Sequence, residues 1–143
     1  MYLLDTTVWL EHLLNQARAQ EAFRLITGVD SALLSISHFS LHSLGVVLAR
    51  QNRIATLDQF VHDLFVQGQV ALRTVQPGDF STISAAMRSQ RLDFDDAYQY
   101  IVAKRDNLTL VSFDTDFDHT DLQRQTPAQV LATLMPSAAD GQT

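Results

Sequence analysis

The chain has 143 residues, 46% of them hydrophobic and 18% charged, a balance that suits one folded domain with its own core. It has no cysteine, which excludes a disulfide framework and a thiolate zinc site. Its net charge of −6 excludes a simple electrostatic nucleic-acid binder, which would carry a basic excess.

Met1 to Leu4 reads as a short strand ending in Asp5, and Thr6 to Leu14 as a helix with Val8, Trp9, Leu13 and Leu14 apolar. The plainest role for Asp5 is then a helix N-cap. Ala19 to Thr27 is expected to be helical, with Ala22, Phe23 and Ile26 inward and Gly28 as its stop. Ala32 to Leu34 reads as a short strand. Ser37 then caps a long helix to about Arg50, carrying Leu41, Leu44, Val47 and Leu48. Leu57, Phe60, Val61, Leu64 and Phe65 give the next helix, apolar enough for a buried or a dimer face, with Gly68 at its end.

Val70 to Val75 reads as a strand. Pro77-Gly78-Asp79 opens a helix with Phe80, Ile83 and Met87 on its inner side. Asp93 is a helix cap, and Ala97, Tyr98, Ile101 and Val102 recur at helical spacing behind it. Leu108 to Ser112 is apolar and β-branched, a buried strand that leads straight into Asp114 and Asp116. Leu122 to Gln125 is expected as an edge strand. Thr126-Pro127 starts a last helix with Val130, Leu131 and Leu134, ended by Pro136.

Strands alternating with helices imply an α/β domain over residues 1–136: a central parallel sheet of four to five strands with helices on both sides. Residues 137–143 read as a disordered tail. No apolar run reaches the roughly 18 residues of a membrane span. Asp5 and Glu11 interrupt the apolar N-terminus, which does not read as a secretion signal. A cytoplasmic protein with no membrane partner is expected.

The acids are unevenly placed. Eight of the sixteen lie between Asp93 and Asp121, where Lys104 and Arg105 are the only basic residues. Asp5 and Asp114 both leave strands at their carboxyl ends, which share one side of a parallel sheet. Asp96 comes from the first turn of a helix. Convergence of Asp5, Asp96, Asp114 and Asp116 would set like charges together, and such a site either binds a divalent cation or holds a raised pKa. Mg²⁺ or Mn²⁺ suits carboxylate and water ligands, and can activate water against a phosphate ester.

Other constellations fall short of a known chemistry. Asp114-x-Asp116-x-Asp118 starts like a calcium loop, but His119 and Gln125 stand where an EF-hand needs Gly and Glu. His38 and His42 are four apart, yet Phe39 replaces the glutamate of H-E-x-x-H. No G-x-S-x-G surrounds Ser43. Asp5-Thr6-Thr7 lacks the second acid of a phosphate-transferring D-x-D. Arg50, Arg53, Arg88 and Arg91 could touch phosphate, though solvated helix ends are their plainer role.

The opening LLDTTV with Asp5, the stretch LDFDDAYQYIVA with Asp96, LTLVSFDTDF with Asp114 and Asp116, and the closing TPAQVLATL together resemble the PIN-domain family. The similarity is greatest to the single-domain, VapC-like ribonuclease toxins of toxin–antitoxin pairs. It implies a metal-dependent endoribonuclease that hydrolyses RNA phosphodiester bonds with metal-bound water. Asp5, Asp96 and Asp114 would hold Mg²⁺ or Mn²⁺, with Asp116 in or beside the site and Asp93, Thr6 and Ser43 close behind. It also implies a cognate antitoxin and, with the apolar Phe60–Phe65 helix, a homodimer.

One position departs from the family. Its usual glutamate, six residues after a serine in S-x-x-x-x-x-E, falls on Ser43, and no acid occurs between Asp30 and Asp58. The alternative is therefore a catalytically weak PIN fold that acts by binding RNA or a protein.

Overall fold

The computed structural model describes residues 1–134, so the expected tail at 137–143 lies outside the described residues. Four parallel strands, β1 (Tyr2–Leu4), β2 (Leu34–Ser37), β3 (Ala71–Arg73) and β4 (Thr109–Val111), form one sheet in the order β3-β2-β1-β4. Leu4 pairs with Val111, Leu3 with Ser35 and Ser37 with Arg73. The chain steps outward from β1 to β3 and then returns to the other side of β1 with β4. Strand order therefore reverses between β1 and β4, where a crevice opens at the carboxyl ends.

Among the described residues seven helices cover the sheet: α1 (Thr6–Leu13), α2 (Ala19–Gly28), α3 (His38–Arg50), α4 (Ile54–His62), α5 (Asp79–Gln90), α6 (Phe94–Arg105) and α7 (Pro127–Leu134). Successive strand residues point to opposite faces, and the burial follows. Leu4, Ile36 and Val111 join Val8, Trp9, Ala22, Leu25, Leu44, Phe60 and Val130 in one core. Leu3 and Leu110 join Ile83, Ala86 and the residues of α6 in another. The helices thus divide between the two faces, as the alternating pattern predicts.

Several elements differ from expectation. The second strand lies at Leu34–Ser37, not Ala32–Leu34; Ser31–Leu33 is a 3₁₀ turn fixed by Asp30, whose carboxylate accepts from the Ala32 N–H at 3.0 Å. No strand forms at 122–125. Gln125 alone bridges to β4, because Arg124 turns to bond the Ser112 carbonyl and Asp118. Phe23 and Phe80 point outward rather than inward; Phe23 stacks on His12, and Phe80 on Phe94.

α4 does not stop at His62 but widens into a π turn over Asp63–Gln67. Gly68 follows because an added Cβ would lie 2.8 Å from the Asp63 carbonyl oxygen. α6 is buried on more than one side: Ala97 to Ala103 are all covered. Its alternation of apolar residues with Gln99 and two tyrosines gives that burial little periodic signal.

Two contacts fix the carboxyl end of β1. The Asp5 N–H donates to the Val111 carbonyl at 2.9 Å. The fully buried Trp9 donates its indole N–H to the Leu4 carbonyl at 3.1 Å. Trp9 itself packs edge-on against Phe60.

Candidate metal centre

Asp5 occupies the capping position of α1 by its backbone, since its carbonyl accepts from Val8. Its side chain makes no cap. It turns inward instead, with only 4% of the residue exposed. Oδ1 accepts from Gln99 Nε2 at 3.0 Å, and Oδ2 from Ser112 Oγ at 2.7 Å and Thr7 Oγ1 at 3.0 Å. Burial pushes the Asp5 carboxyl up, and these hydrogen bonds offset part of that push.

Asp96 is set by the start of α6. The Asp93 carboxylate accepts the Asp96 N–H at 3.0 Å, so Asp93 is the cap that the spacing predicts. Asp114 caps a 3₁₀ turn (Thr115–His119) by accepting the Asp116 N–H at 2.8 Å, and its own N–H donates to Ser112 Oγ. Two elements, the start of α6 and the 3₁₀ turn after β4, thereby aim three acids at one point. Oxygens of Asp96, Asp114 and Asp116 all lie within 4.8 Å of one another, the only such group among the described residues.

The same cavity is lined by the acids Asp5, Asp93 and Asp95 and by the uncharged Thr6, Thr7, Phe39, Ser43 and Gln99. Burial, then the charges of Asp93, Asp114, Asp5 and Asp116, push Asp96 up to about 7. Asp95 is raised as well, by burial and then by Asp93 and Asp5. Among the described residues no ion pair involves any of the clustered acids. The donor set fits a hard divalent cation: it is all oxygen, and the one base that acts on it, Arg124 on Asp114, does so without an ion pair.

Asp5, Thr6, Ser43, Asp93, Asp96, Asp114 and Asp116 all line this cavity. Asp5 stands just outside the triad, its oxygens taken by three donors. Thr6 faces in and shares a 2.7 Å hydrogen bond with Ser40. Ser43 lines the cavity from α3. Four residues that line the cavity were not among the candidates: Thr7, Phe39, Asp95 and Gln99. Gln99 lies one helical turn beyond Asp96, and that spacing was the available signal.

The calcium-loop likeness dissolves, because Asp118 pairs with Arg124 at 2.8 Å and stays off the triad. His38 and His42 face a separate aromatic hollow with Phe39, Phe80, Phe94 and Tyr98. Arg50, Arg53, Arg88 and Arg91 do not line the cavity; Arg53 instead bonds the Leu13 carbonyl.

Solved structures with this fold include a toxin–antitoxin complex and a toxin. The chain is similar to a toxin–antitoxin complex from Klebsiella pneumoniae (TM-score 0.70, 18% identity, 89% of this chain and 98% of that one). It is also similar to VapC20 of Mycobacterium tuberculosis, a toxin that cleaves the sarcin–ricin loop (0.72, 17%, 85% and 96%). A third is FitAcB from Neisseria gonorrhoeae (0.69, 21%, 90% and 99%). No curated protein sequence matches significantly. The family model of the PIN domain matches residues 2–122, from β1 through the 3₁₀ turn that carries Asp116, and the chain belongs to the PIN-domain family.

Proposed function

We propose that this protein is a metal-dependent endoribonuclease, the toxin of a toxin–antitoxin pair, that hydrolyses RNA phosphodiester bonds. The observation that carries this reading is the convergence of Asp96, Asp114 and Asp116 at the switch point of the sheet, beside a buried Asp5. The triad would hold Mg²⁺ or Mn²⁺. A bound cation supplies an activated water and stabilises charge on the phosphate under attack. The chain's own residues do the rest. Thr7, Ser112 and Gln99 keep Asp5 oriented and favour its ionised form. Asp93 and Asp114 fix the backbone from which Asp96 and Asp116 project.

The reading places the protein in the cytoplasm, with RNA as substrate and a cognate antitoxin and a second copy of the chain as protein partners. Likeness to structures of toxin–antitoxin complexes supports the antitoxin. No helix among the described residues is long and apolar enough to cross a membrane.

Ser43 favours a second reading. It faces the cavity where the family carries a glutamate, so the site has one carboxylate fewer, and a weak catalyst that acts by binding would look the same. Purified protein incubated with a single-stranded RNA and Mn²⁺ decides. Cleavage that EDTA and Asp96→Asn abolish supports the nuclease. Retention of intact RNA, with none cut at any Mn²⁺ concentration, supports the binding module.

A further inference from the structure

Gln99 is a polar residue within the most deeply covered stretch of α6, and it is 1% exposed. Its amide nitrogen is fully used: Nε2 donates to Asp5 Oδ1 at 3.0 Å and to Ser40 Oγ at 2.7 Å. Its carbonyl oxygen is not used at all. Among the described residues, Gln99 Oε1 is the only buried side-chain oxygen or nitrogen without a hydrogen-bond partner. Exchanging the two ends of the amide does not help, because Oε1 would then face the Asp5 carboxylate, acceptor against acceptor. The hydroxyl chain agrees: Ser40 accepts from Gln99 and from Ser37, which leaves its own proton for Thr6.

A buried acceptor left bare is costly, so it calls for a donor. Gln99 lines the cavity of the acid triad, and a hard divalent cation held by carboxylates keeps several waters. We propose that Gln99 is a positioning residue of the cation site. Its Oε1 accepts a hydrogen bond from water in the hydration shell of the cation, while its Nε2 holds Asp5 in place. One amide thereby links the water to the innermost carboxylate. The inference rests on the metal-site reading above and adds to it a residue from α6 that the sequence likeness does not supply.

The test is Mn²⁺ binding by calorimetry, with thermal melts of the metal-free protein alongside. Gln99→Met keeps the length of the side chain and removes both polar ends. It is expected to weaken Mn²⁺ about ten- to a hundred-fold, the usual loss for a partner behind the ligands. Ser40→Ala removes the other acceptor of the same N–H₂ group and leaves Oε1 in place, so its Mn²⁺ affinity should stay within about two-fold of wild type. A residue that merely ties α6 to α3 would lower the melting temperature in both variants and change Mn²⁺ affinity in neither.

Wild-type affinity in Gln99→Met, or an equal loss in Ser40→Ala, overturns the inference while leaving the metal site standing. If Gln99→Met does not fold, Gln99→Asn decides, since it adds no charge, keeps the amide and draws its oxygen back by one methylene. Mn²⁺ affinity below wild type supports the role of the oxygen, and affinity equal to wild type overturns it. Absence of Mn²⁺ binding in the wild-type protein overturns the metal reading, and this inference with it.

Discussion

Asp106, Asp118 and Asp121 each lie against a basic side chain, whereas Asp95 and Asp96, a few residues earlier, have none. In the first group Arg105 bonds Asp106, Arg124 bonds Asp118, and Lys104 with Tyr100 bonds Asp121; all three carboxyls are held below their ordinary range by those contacts. In the second group burial and neighbouring carboxylates raise Asp95 and Asp96. Both groups come from the same acid-rich stretch. What separates them is where the few bases point: Arg105 reaches across to Asp79 and the Thr74 carbonyl, and Lys104 to Asp121, away from the sheet's carboxyl end. The stretch thus balances its charge on the outside and leaves it unbalanced in the cavity. A surface that merely needed solubility would have no reason to withhold a base there.

The sharpest way to break this contrast is Asp96→Asn. It removes a charge from the crowded group, so the metal-free melting temperature should hold or rise. Stabilisation by Mn²⁺ and RNA cleavage should both be lost, by more than the roughly 10–100-fold of an outer partner. A cap would behave in reverse, costing about 1 kcal/mol with the metal response intact. Melts with and without Mn²⁺ distinguish the two.

Ser43→Glu acts in the opposite direction. Ser43 faces the cavity, so the new carboxylate joins the group. Calorimetry should show Mn²⁺ binding tightened by about ten-fold, since carboxylate count tunes affinity, together with faster RNA cleavage. The metal-free protein should melt lower, because another like charge is added. Unchanged metal binding would count against the family alignment at this position.

The pH dependence separates the groups by sign. Asp96 is raised, so the folded state holds a proton that the unfolded chain releases. Stability of the metal-free protein from this group therefore falls as pH rises from about 4 to about 7. Asp106, Asp118 and Asp121 are lowered, so their contribution is lost as pH falls below the ordinary carboxylate range. In EDTA the melting temperature should decline between pH 5 and pH 7, and Asp96→Asn should flatten that decline. Saturating Mn²⁺ should flatten it too.

The smallest effect belongs to the paired group. Lys104→Gln opens one exposed ion pair and should cost about 0.2–1 kcal/mol, less in high salt, with Mn²⁺ binding unchanged.

These groups were legible in the sequence to different depths. The Asp93 cap with Asp96 three residues on, and the run from Leu108 into Asp114, are local patterns, and local patterns fixed those acids in space. The parallel sheet followed from alternation of apolar runs. The partners that orient the Asp5 side chain did not follow, because two of them, Gln99 and Ser112, lie roughly a hundred residues away. For the same reason Gln99 was not among the expected site residues: its spacing after Asp96 puts the two on one side of the helix, but nothing near it in sequence shows that it lies beneath Asp5. Phe23 and Phe80 misled because helical spacing marks an apolar side without saying how wide the buried side is. The 3₁₀ turn before β2 hid in a polar side chain, Asp30, that captured the Ala32 backbone N–H.

The contact between Trp9 and the Leu4 carbonyl gives the molecule a built-in optical reporter. That carbonyl belongs to the peptide unit joining Leu4 to Asp5, whose N–H is held by Val111. The chain has one tryptophan, so indole emission comes from this place alone. Fluorescence of the unlabelled protein therefore reads the peptide that carries Asp5. Changes there during Mn²⁺ titration can be followed in real time, apart from signals elsewhere in the fold.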